Sequence, residues 1–110
     1  MKRLTLLALV VLCWQALAGP ADDFAAAKAA YEAGDHATAM RLFRPLAEQG
    51  DAFVQLIVGF MYKNGEGVPQ DYAEAMKWYR KAADQGHADA QCNLGNMYHH
   101  GQGVPQDYAE

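Results

Sequence analysis

The sequence predicts an all-α fold, an α-solenoid of antiparallel helical hairpins about two and a half repeats long, and three observations predict it. Residues 51–74 (DAFVQLIVGFMYKNGEGVPQDYAE) and 87–110 (HADAQCNLGNMYHHGQGVPQDYAE) align without a gap at an offset of 36 residues, with 14 of 24 positions identical. Self-similarity at that period marks stacked helical hairpins. Each copy places a Gly-x-Gly-Val-Pro turn between two helix-compatible stretches. Beyond the turn, Ala75, Trp78, Tyr79, Ala82 and Ala83 fall at i, i+3, i+4, i+7 and i+8, which is one apolar face of an amphipathic helix.

In chain order, Met1-Lys2-Arg3 is a short basic start and Leu4 to Trp14 an apolar run. That run is shorter than the ~20 residues a bilayer span takes. Ala16-Leu17-Ala18 then supplies the small-x-small pattern at which a signal peptidase cuts. Residues 1–18 read as a secretory signal peptide, so the mature chain is expected to be exported, periplasmic or secreted, with no membrane insertion after cleavage. Lipid attachment at Cys13 fits less well, because Leu12 stands where that processing takes a small residue.

Residues 19–50 read as a degenerate N-terminal capping repeat. Tyr31, Gly34, Asp35, Ala39, Met40, Phe43, Ala47, Gln49 and Gly50 match Tyr62, Gly65, Asp71, Ala75, Met76, Tyr79, Ala83, Gln85 and Gly86 once five loop residues are deleted. A terminal unit has no neighbour on one side and tolerates such irregularity. Residues 51–86 form a regular unit. Its first helix, helix A, is predicted from about Ala52 to Asn64, ending at Gly65-Glu66-Gly67, where positive φ is open to glycine. Pro69 then forces a turn. Asp71-Tyr72-Ala73-Glu74 reads as a capping box in which Asp71 caps helix B and Glu74 reaches back, and Gly86 is the expected stop. Residues 87–110 repeat helix A from about Ala88 to His100, but Glu110 falls one turn into the third helix B. This truncation predicts a fragment of a longer protein or, if Glu110 is the true end, a frayed terminus with an apolar face open to self-association.

The motifs Leu94-Gly95-x-Met97-Tyr98, Gly65-x-Gly67-Val68-Pro69-x-Asp71-Tyr72 and Ala75-x-x-Trp78-Tyr79-x-x-Ala82-Ala83-x-x-Gly86 resemble the Sel-one-like repeat family, a branch of the tetratricopeptide-like helical hairpins. The resemblance covers nearly all of residues 51–110 and, more weakly, 22–50. It implies an adaptor or partner-binding surface, with helix A lining the concave side. Some cysteine-rich relatives are linked to β-lactam binding or hydrolysis. Their paired cysteines are missing here and the chain contains no serine, so that activity is not carried over.

Comparison of the two regular units separates what the scaffold repeats from what it varies. Ala52/Ala88, Gly59/Gly95, Met61/Met97 and Tyr62/Tyr98 are shared, and the small Gly59 and Gly95 are expected to let a neighbouring helix approach closely. Phe53/Asp89, Ile57/Asn93, Phe60/Asn96 and Asn64/His100 change character. Spaced i, i+4, i+7 and i+11, they form one stripe along helix A. Two roles are open for it. Phe53, Ile57, Phe60, Asp89, Asn93, Asn96 and His100 line a groove for a protein or peptide partner, or the apolar members pack on unit 1, whose matching stripe Asp22, Ala26, Ala29 and Ala33 is mostly small.

The chemistry of catalysis has no such signature. The formal charge of −4 becomes −6 once Lys2 and Arg3 leave with the signal, so the chain lacks the basic patch that nucleic acid or anionic lipid requires. Cys92 remains alone after loss of Cys13, which excludes an internal disulfide framework, and at helical spacing it is expected as a small buried hydrophobe. His99 and His100 are adjacent and point about 100° apart on a helix, a poor pair for one metal ion. With His36 and His87 they read as surface histidines, and no cofactor or metal is expected. Asp71 with Glu74, and Asp107 with Glu110, read as solvated caps rather than acid–base pairs. The sequence therefore predicts a non-enzymatic, exported scaffold for protein–protein interaction. Its alternatives are part of an envelope-acting hydrolase whose catalytic residues lie outside this chain, and a purely structural spacer.

Overall fold

The computed structural model describes residues 20–103. The signal reading of residues 1–18, the truncated second helix of the last unit and the acid pair Asp107 and Glu110 lie outside the described residues. Five helices follow one another: α1 (Pro20–Glu32), α2 (His36–Glu48), α3 (Ala52–Asn64), α4 (Tyr72–Asp84) and α5 (Ala88–His100). No strand occurs among the described residues. Hairpins α1–α2 and α3–α4 are the first two units, α5 opens the third, and the packing runs between helices adjacent in the chain. This is an all-α solenoid, with α1, α3 and α5 as its A helices.

Local chemistry sets the boundaries. Asp35, Asp51 and Asp71 accept from the backbone N–H groups of Thr38, Val54 and Glu74 at 3.2, 3.1 and 3.1 Å, each satisfying an orphan donor at a helix start. Only half of the predicted capping box forms. The Asp71 N–H donates to the carbonyl of Tyr62 instead, and the Glu74 carboxylate meets Lys77 at 3.3 Å. Gly65 and Gly101 end α3 and α5 at φ +71° and +67°. The loop then bears directly on the preceding unit: a Cβ on Gly67 would sit 2.3 Å from the carbonyl oxygen of His36, at a φ of +74°. One repeat on, Gly103 stands in the same way against Tyr72.

The core runs along the solenoid axis. Ala39, Met40, Phe43 and Ala47 of α2 meet Val54, Val58, Met61 and Tyr62 of α3, which pack on Ala75, Met76, Trp78 and Tyr79 of α4. Each large side chain buried there contributes roughly 1.5–3 kcal/mol by leaving water. Gly59 admits Tyr79, whose ring carbon lies 2.8 Å from where a Cβ would be, so the expected close approach occurs there. Nothing described lies against Gly95.

Two polar clips fasten successive units, and both recur at the 36-residue offset. Gln55 Nε2 donates to the carbonyl of Ala47 at 3.0 Å, as Gln91 does to Ala83 at 3.2 Å. Arg44 donates to the hydroxyl of Tyr62 at 2.9 Å, and Arg80 likewise to that of Tyr98.

Candidate partner-binding groove

The A helices share one face, and along it lies a groove of about 780 Å³. Helix α1 contributes Phe24, Lys28, Tyr31 and Glu32, α3 contributes Phe53, Leu56, Ile57 and Phe60, and α5 contributes Asp89, Cys92 and Asn93. Phe43 of α2 closes the floor. Aromatic rings run across it: Phe24 meets Phe43 edge-on at 5.9 Å between centroids and Phe53 at 6.1 Å, and Phe53 reaches His87 at 6.3 Å. Phe43 is buried, whereas Phe53 and Phe60 remain 50% and 45% exposed.

Of the seven residues singled out in the sequence, Phe53, Ile57, Phe60, Asp89 and Asn93 line this groove together. Asn96 and His100 continue the stripe along α5, exposed and beyond the groove lining. Helix α1 differs from expectation. Asp22, Ala26, Ala29 and Ala33 are all exposed, and the residues of α1 that line the groove are Phe24, Lys28, Tyr31 and Glu32. Phe53 thus packs part of its ring on Phe24 and leaves the rest open. Cys92 is also corrected: it is exposed, because it occupies in α5 the place that Leu56 holds in α3 and faces the groove rather than the core.

The histidines are less uniform than a surface set. The His36 ring stacks on Tyr31 at 4.7 Å, with Nε2 3.8 Å from Glu66 Oε2. The Tyr31 hydroxyl donates to the same carboxylate, 3.0 and 2.9 Å from its two oxygens. Burial, followed by the hydrogen bond to Glu66 and its negative charge, raises the pKa of Tyr31. One wall of the groove is therefore tied to the turn of the next unit. Sequence signals for the clips between units existed: Arg44/Arg80, Gln55/Gln91 and Tyr62/Tyr98 are identities at the repeat offset. Among the described residues no three of His, Cys, Asp and Glu converge as metal ligands would, and no helix is long and apolar enough to cross a membrane.

No match was found among curated proteins. The fold is similar to that of c5321, a protective antigen present in uropathogenic Escherichia coli strains and displaying an SLR fold. The two are 45% identical with a TM-score of 0.75, over 83% of this chain and 20% of that one. A Sel1 repeat protein from Oxalobacter formigenes is 34% identical with a TM-score of 0.72, over 82% of this chain and 39% of that one. The chain thus spans about a fifth and about two fifths of those two proteins. Residues 25–51, 52–87 and 88–110 each match the Sel1 repeat model. With three matched units over most of its length and the helical hairpins to go with them, the chain belongs to the Sel1 repeat family, whose helical scaffolds generally serve protein interaction.

Proposed function

We propose that the protein is an exported scaffold that binds a protein or peptide partner along the groove of its A helices and carries out no catalysis itself. The observation that carries this reading is the pair Phe53 and Phe60, each about half exposed inside a groove walled by three helices. A packed scaffold gains little by leaving two phenylalanines there, whereas aromatic side chains held open on rigid helices are the groups that dominate binding energy at interfaces. Export rests on the basic start, apolar run and Ala16-Leu17-Ala18 site at the N-terminus. It predicts a mature protein beginning at Gly19 when the gene is expressed in an exporting host.

The test is photo-crosslinking in the native compartment, with a photoreactive residue in place of Phe60 and, as control, in place of Lys77 on the exposed face of α4. A discrete adduct from position 60 alone supports the groove. Phe60→Ala is expected to abolish that partner's binding while lowering stability by less than about 1.5 kcal/mol, because its ring is only half buried. A loss of about 3–5 kcal/mol would mark Phe60 as core and refute the groove.

A further inference from the structure

The groove is not uniform along its length, and its polarity specifies an occupant. Over α1 and α3 its lining is aromatic and aliphatic: Phe24, Phe53, Leu56, Ile57 and Phe60. Over α5 the repeat-equivalent positions become Asp89, Cys92 and Asn93. The lining charges are Lys28, Glu32 and Asp89. Lys28 and Glu32 face each other at 4.0 Å on successive turns of α1 and compensate one another. Asp89 is exposed and forms no salt bridge among the described residues; the N-terminal turn of α5 favours its carboxylate there, and its charge stays open to a cation at one end of an apolar bed.

We propose, resting on the scaffold reading above, that the groove takes a linear peptide segment with an apolar anchor followed or preceded by a lysine or arginine. The anchor sits on Phe24, Phe53 and Phe60, and the cation meets Asp89. The Phe53 ring lies 6.3 Å from that of His87, two residues before Asp89, which puts the anchor and the cation about one helix diameter apart, ~10 Å. Extended chain covers that distance in about three residues at ~3.3 Å each, which sets the spacing between anchor and cation. The same charge argues against an acyl chain with an anionic headgroup, which Asp89 would repel.

A displayed library of random linear peptides, selected on the mature full-length chain, tests the assignment. Sequences pairing an aromatic or long aliphatic residue with Lys or Arg about three positions away are expected to be enriched. For one such peptide, Asp89→Asn should weaken binding about 2–5-fold at low salt, the range of an exposed ion pair. The effect should fade at high salt and vanish when the peptide's cation is replaced by an uncharged residue. A thermal melt of the variant separates this from any change in helix α5. Enrichment of acidic or uncharged apolar peptides, or an Asp89→Asn effect independent of the peptide's charge, overturns the assignment and leaves the scaffold reading standing. Saturable binding of oleate that competes with the peptides at the groove also overturns it, assigning the bed to an acyl chain. Absence of any enriched peptide, together with no adduct at position 60, refutes both readings.

Discussion

Tyr79 shows how far one atom can be out of keeping with its surroundings. It stands one repeat after Phe43, at the same place in its helix, and is fully buried against Gly59. Its hydroxyl has no hydrogen-bond partner among the described residues, and burial pushes its pKa up to about 12. A phenol is charged only when deprotonated, so a folded pKa above the ordinary value near 10 stabilises the fold below pH ~10. That contribution is lost as pH rises from ~10 toward 12. Tyr79→Phe, which copies unit 1, should match or exceed the wild type by up to about 1 kcal/mol at neutral pH and resist alkaline unfolding better. Denaturant melts at pH 7 and pH 11 decide it. A variant less stable by more than about 1 kcal/mol at neutral pH would mean that the hydroxyl has a partner worth keeping.

At the scale of the helix, caps distinguish α5 from its predecessors. Asp35, Asp51 and Asp71 cap α2, α3 and α4, while His87 stands at the start of α5 without a side-chain bond to its backbone. His87→Asp installs the residue that unit 2 carries and is expected to raise stability by about 0.5–1 kcal/mol, measured by denaturant unfolding. No gain would mean that the ring contact of His87 with Phe53 offsets the cap. Helices α3 and α5 were legible in the sequence to the residue, Ala52 to Asn64 and Ala88 to His100, because glycine with positive φ ends both and the two copies check each other. The groove face of α1 was not. Five loop residues missing from unit 1 leave only Tyr31 and Gly34 to fix the register, and pairing them with Tyr62 and Gly65 places Asp22 rather than Phe24 opposite Phe53. The Glu74 half of the capping box failed for a different reason. A tertiary contact, the carbonyl of Tyr62, had already claimed the donor that Glu74 would have met.

For the molecule as a whole, packing chiefly between successive helices among the described residues makes stability approximately a sum of units and junctions. Gln55 is the polar group most deeply set in such a junction, 4% exposed, donating to Ala47 and accepting from Gln85. Gln55→Ala removes both bonds, although the Ala47 carbonyl keeps the Gly50 N–H, and at about 0.5–1.5 kcal/mol per bond should cost about 1–3 kcal/mol. Hydrogen exchange is expected to show the loss unevenly, with amides of α1 and α2 opening ahead of those in α4. Uniform loss of protection would mean that the units melt as one body. Because the glutamine clip, the arginine–tyrosine clip and the glycine contact all recur at the same offset, the junction is a standard coupling rather than a bespoke one. An in-frame duplication of 108 bases, three per residue of the 36-residue period, would insert a module whose two ends already fit. The binding surface can lengthen or shorten in whole steps during evolution, each step adding a fresh A helix on which side chains are free to diverge.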